Sequence, residues 1–206
     1  MKVLVGSLGV AALFALAMPA SASVVIGPYT FADNAFADTV VSSGTFSTFG
    51  GTLASVLTDK SVNTGAFNGS SVSYVDLGFT DNIVFNGDNA DLVLFEEGAA
   101  SVLKVTINGV TLSFTPVFTK VLNSANLNVN AAAIDLTDFG IGNGATISSL
   151  RVDMGFLGTN DATQPSLLEA GALNSRATGG TVPEPSSWAL AVLGVVGLAA
   201  SRRRKR

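Results

Sequence analysis

The chain has 206 residues, no cysteine, no histidine and only 13% charged side chains. This excludes disulfides, thiolate and Ser-His-Asp catalysis, and cysteine- or histidine-ligated zinc or iron–sulfur sites. Six of the eleven basic residues are Lys2 and 202–206, so residues 23–201 hold five basic against fifteen acidic side chains, a net of −10, which makes nucleic acid an unnatural partner.

Residues 1–22 carry the three parts of a secretory signal peptide. Lys2 supplies the charge, Val3 to Met18 the apolar helix, and Ala20-Ser21-Ala22 the small-residue cleavage site, with Pro19 ending the helix just before it. Signal peptidase is therefore expected to leave Ser23 as the mature N-terminus.

From Val24 to about Leu173, short apolar or alternating runs are separated by Gly, Asn, Asp and Ser. Leu103, Val105 and Ile107 alternate with polar residues. Asn108-Gly109 follows, and then a second alternating run over Thr111–Thr115, which predicts a tight hairpin. Leu150, Val152, Met154 and Phe156 form an inward row with Arg151 and Asp153 on the other face. Asp91-Leu-Val-Leu-Phe-Glu96 has a continuous apolar centre and reads as a strand covered on both sides. Further strands are predicted near 24–32, 39–49, 72–78, 82–86, 117–122, 132–137 and 166–173, and no long helical stripe occurs between 23 and 180. The fold class expected is all-β, an antiparallel β-sandwich of jelly-roll-like kind spanning 23–173. Residues 174–182 are small, polar and without period, and read as a linker.

The chain closes with Pro183-Glu184-Pro185, an apolar run at 188–200 and the basic residues 202–206. Prolines block helix continuation and keep the triplet extended. The run predicts a transmembrane helix over about 187–201, short against the roughly 20 residues of a comfortable span. Trp188 stands where an interfacial aromatic belongs, and the basic tail at 202–206 would stay cytoplasmic. The domain would then lie outside the inner membrane.

The order Pro-Glu-Pro, apolar helix, basic end resembles the PEP-CTERM sorting signal of Gram-negative bacteria over 183–206. The resemblance implies processing by exosortase, a membrane transpeptidase cutting near the Pro183–Ser187 stretch, and delivery to the cell surface or extracellular matrix. It also implies association with exopolysaccharide and biofilm. Pro183, Glu184, Pro185, Trp188, Arg202, Arg203 and Arg204 are the sorting and processing residues it designates.

The densest polar cluster is Asp81-Asn82-Ile-Val-Phe-Asn86-Gly87-Asp88-Asn89-Ala90-Asp91, ending at Glu96-Glu97-Gly98. Hard cations take six to eight oxygens from such groups, so Asn86, Asp88 and Asp91 are candidate Ca²⁺ ligands. The same residues also suit turns, through αL and Asx geometry. The stretch resembles, more loosely and over 72–173, β-sandwich domains of PEP-CTERM proteins and calcium-assisted carbohydrate-binding folds. That resemblance implies Asp88 and Asp91 as ligands and Glu169 as a distant one. A secreted glycoside hydrolase would need Glu96 or Glu97 paired with a distant Asp. The chain reads as a non-catalytic exported protein first and as a calcium-assisted carbohydrate-binding module second. Its phenylalanines are assigned mostly to the core.

Overall fold

The computed structural model describes residues 22–68, 73–154 and 165–178. The chain starts with β1 (Ser23–Ile26), β2 (Tyr29–Ala32), β3 (Thr39–Ser43) and β4 (Phe46–Phe49). The one-turn helix α1 (Leu53–Val56) follows, with Thr52 Oγ1 accepting from the Ser55 N–H as its cap. Next come β5 (Gly65–Asn68), β6 (Tyr74–Gly78), β7 (Asn82–Phe85), β8 (Leu92–Glu97), β9 (Leu103–Ile107) and β10 (Val110–Phe114). Then follow β11 (Val117–Leu122), β12 (Asn128–Ile134), a 3-10 turn at Leu136–Phe139, β13 (Thr146–Ile147) and β14 (Ser149–Asp153). The last strands are β15 (Ser166–Leu167), β16 (Glu169–Ala172) and β17 (Ser175–Ala177). The body is all-β, and every recorded strand pairing is antiparallel.

Two sheets set the frame. One has the order β10-β9-β14-β6-β3 and the other β11-β12-β8-β16. Alternation on the first turns Val75, Leu77, Val105, Ile107, Leu150 and Val152 inward, where they share one core with Leu92, Leu94, Ala132 and Ile134 of the second. The opposite face of the second sheet offers Val93, Phe95, Val129 and Ala131 to a separate core closed by Ile26 and Phe31 of the β1–β2 hairpin. Hence β8 is apolar without alternation because both of its faces are covered. Leu92, Val93, Leu94 and Phe95 are all 0% exposed, and burial of each stabilises the fold by about 1.5–3 kcal/mol.

The Asn108-Gly109 hairpin forms as its sequence predicts. Both residues have positive φ, +50° and +81°, and Ile107 pairs with Val110, the twist-matched geometry for a two-residue loop. Elsewhere the boundaries shift. Residues 24–32 are two strands rather than one, because Gly27 at φ +57° and Pro28 turn the chain back on itself. The 39–49 run divides at Gly44 (φ +98°) into strands of different sheets. The strand predicted at 132–137 starts at Asn128 and stops at Ile134, where Asp135 caps the 3-10 turn by accepting from the Thr137 N–H. The body also extends past 173: Ser175–Ala177 pairs with β7 because the edge of β7 has open main-chain groups there, so the linker expected at 174 begins no earlier than 179.

β11 lies at the edge of its sheet with Val117, Phe118 and Leu122 exposed. Its register shifts between Phe118 and Val121, with Lys120 at φ +68° in the bulge.

Candidate functional site

Asp91 enters β8 at its buried end, and its carboxylate is turned towards N–H donors. Oδ1 accepts from the Gly87 N–H and from Asn174 Nδ2, both at 2.7 Å, and Oδ2 accepts from the Leu136 N–H at 2.8 Å. Its backbone carbonyl accepts from the Leu173 N–H at 2.7 Å. One side chain thus ties the 86–91 loop, the end of β12 and the exit from β16. Asn86 is buried too, and its Nδ2 donates to the Ile141 carbonyl at 2.6 Å and to Thr137 Oγ1 at 3.1 Å. Asp88 is exposed at the loop tip beside Asn89 at φ +62°. Of the three residues expected to hold calcium, two are engaged in this internal network and one faces solvent. Among the described residues, no group of three or more acidic side chains gathers in the way a metal ion needs.

Glu96 and Glu97 close the other end of β8. Adjacent strand residues point to opposite faces, so the two carboxylates flank different cores. Glu96 is 0% exposed. Its Oε1 accepts from the Ser101 N–H at 2.8 Å, whereas Oε2 is buried without a hydrogen-bond partner. Burial pushes its pKa up to about 7, with the Ser101 N–H and Asn130 acting in the opposite direction. Glu97 accepts from Asn123 Nδ2 at 2.6 Å; burial raises its pKa, and that bond offsets part of the rise. Glu169, across from Phe95 on β16, is fully buried and far from Asp88 in role. Its Oε2 accepts from the Lys60 N–H at 2.8 Å and holds the 58–64 loop, with Lys60 at φ +62°. Burial lifts its carboxyl well above the usual range.

A different arrangement occupies the outer face of the five-stranded sheet. Register places Val41, Asp76, Arg151, Thr106 and Thr111 in one row across β3, β6, β14, β9 and β10. Tyr74, Asp153, Lys104 and Ser113 lie in the next. Arg151 forms a two-pronged bond to Asp76, Nε to Oδ1 at 2.6 Å and the terminal nitrogen to Oδ2 at 2.9 Å. Its guanidinium carbon sits 3.7 Å from the centre of the Tyr74 ring. The Thr106 and Thr111 hydroxyls share a 2.7 Å hydrogen bond. This platform combines an aromatic ring, a fixed guanidinium–carboxylate pair and hydroxyls on a solvated sheet face. Alternation in β14 puts Arg151 and Asp153 on one face; the registers that bring Asp76 and Tyr74 beside them are not readable from the sequence.

The described residues end just past β17, where Thr178 donates its N–H to the Asp81 carbonyl at 3.1 Å and its hydroxyl to the Thr80 carbonyl at 3.1 Å. Ala20 and the tail residues Pro183, Glu184, Pro185, Trp188, Arg202, Arg203 and Arg204 lie outside the described residues, as do the expected signal-peptide and 187–201 helices. Among the described residues no helix is long and apolar enough to cross a membrane. Ser23 opens β1, and the preceding Ala22 carbonyl accepts from the Asp33 N–H at 3.0 Å.

Comparison with known proteins locates a PEP-CTERM protein-sorting motif at residues 181–205. No curated protein and no solved structure matches the chain.

Proposed function

We propose that the chain, which carries a PEP-CTERM sorting motif and with it the mark of exosortase-dependent export, is a non-catalytic surface or matrix protein of a Gram-negative bacterium. Its body, which we read as a jelly-roll-like β-sandwich, is held briefly at the inner membrane by the tail, cut near Pro183–Ser187 and passed to the cell surface, where exopolysaccharide is its natural surrounding. One observation carries this reading: the motif begins at residue 181, directly behind a folded body whose last described strand ends at Ala177. Intact-mass measurement of the surface-associated protein tests it. The expected species starts at Ser23 and ends between Pro183 and Ser187; a surface form that retains Arg206 overturns it.

A second reading, carbohydrate binding, is supported by the Tyr74–Asp76–Arg151 platform on the solvated sheet face. Calcium assistance would have to start from Asp88, the exposed acid of its loop, and would raise the melting temperature when calcium replaces chelator.

A further inference from the structure

Resting on the proposed cleavage near Pro183, we infer that β17 is a releasable strand that becomes part of the peptide presented to the tail-processing enzyme. Pro183 lies five residues beyond Thr178, and an extended chain covers at most about 3.5 Å per residue, so with β17 in place the triplet reaches no more than about 17 Å from the body. Enzymes that read extended peptides do so by main-chain pairing along several residues, and release of β17 lengthens the run of chain open to such pairing.

The structure divides the end of the chain at Asn174. Before it, β16 is buried along its whole length and pairs with the central strand β8. Asn174 itself donates to Asp91 Oδ1 and packs so closely on Gly87 that a Cβ there would meet its side-chain amide at 2.5 Å. Beyond it, β17 is three residues at a sheet edge, with Arg176 and Ala177 exposed. Under its far end, opposite Ala177, the Asn82 amide is buried with neither its nitrogen nor its oxygen partnered. Backbone bonds that lie near solvent over few buried contacts open first. Tension from the tail would therefore unzip 175–178 and stop at the Asn174–Asp91 latch. The reach to Pro183 then spans nine residues, or about 31 Å.

The test locks the strand. Bonds from Phe85 N–H to the Asn174 carbonyl and from Thr178 N–H to the Asp81 carbonyl leave Ala177 and Asn82 as a facing pair without mutual main-chain bonds, which suits a disulfide, and the chain has no other cysteine. The full chain carrying A177C and N82C would be expressed with exosortase, and tail removal followed by immunoblot with and without a membrane-permeant reductant. The expected result is removal slowed on the order of tenfold in the oxidised protein, restored by reductant, and restored without reductant when Gly-Ser-Gly-Ser is inserted after Thr178. Equal removal from the locked and unmodified proteins overturns the release of β17 alone, as does slow removal that the insertion fails to relieve. Retention of the tail by the unmodified protein overturns the cleavage reading and this inference together.

Discussion

The two ends of β8 carry buried acids with opposite provisions. Asp91 has three N–H donors shared over both oxygens, while Glu96 has one, with its second oxygen sealed from solvent and unpartnered. Charge removed from water must be compensated by nearby dipoles or else be given up. Asp91, with its three donors, serves as a structural latch. Glu96 lacks that supply, and burial pushes its pKa up to about 7. Chemically similar residues of equal burial thus meet very different supplies of donors at the two ends of one strand.

The most severe way to break the contrast is Asp91→Ala. It leaves buried donors from Gly87, Leu136 and Asn174 without an acceptor, and chemical denaturation should show a loss of about 4 kcal/mol. Next comes Glu96→Gln, which keeps the acceptor for Ser101 and removes the charge. Because the folded-state pKa of Glu96 is raised from 4.5 to about 7, its contribution is fully present below pH 4.5. It is lost as pH rises towards 7 and remains lost above that. The native protein should lose about 3 kcal/mol across this window through Glu96, whereas E96Q should remove that loss. Glu169, whose pKa is also raised, adds a slope of the same sign, so E96Q combined with Glu169→Gln should be flatter still in stability measured against pH. Asn174→Ala takes away a single donor from Asp91 and should cost about 1–2 kcal/mol, read as a lower denaturation midpoint with an unchanged m-value. Arg151→Ala, remote from both ends and on the solvated face, should leave the melting temperature unmoved. If the platform binds glycan, the same variant lowers retention on the host's exopolysaccharide, which separates surface function from core stability.

Much of this contrast was hidden in the sequence for a physical reason. Leu-Val-Leu-Phe between two acids gives away β8 and its double burial, and Asn108-Gly109 gives away a hairpin, because in each case the signal is local. Asp91 reads as a turn residue first and a cation ligand second, because its deciding partners, Leu136 and Asn174, lie 45 and 83 residues away. Ser175-Arg-Ala becomes a strand only because β7 has an unpaired edge to offer, and nothing in those three residues announces it. The Gly27-Pro28 reversal was legible as turn chemistry but was obscured by the apolar residues on either side. The tail is the reverse case: its order of residues carries the sorting information with no tertiary context.

The bulge in β11 has a consequence for crowding. Straight edge strands with exposed apolar side chains such as Val117, Phe118 and Leu122 are templates on which other chains add. At Lys120 the backbone turns to φ +68°, placing a charge mid-edge and throwing the outward amides out of step with any straight newcomer. Growth by sheet addition along β11 is thus opposed at the position where the apolar surface would otherwise favour it.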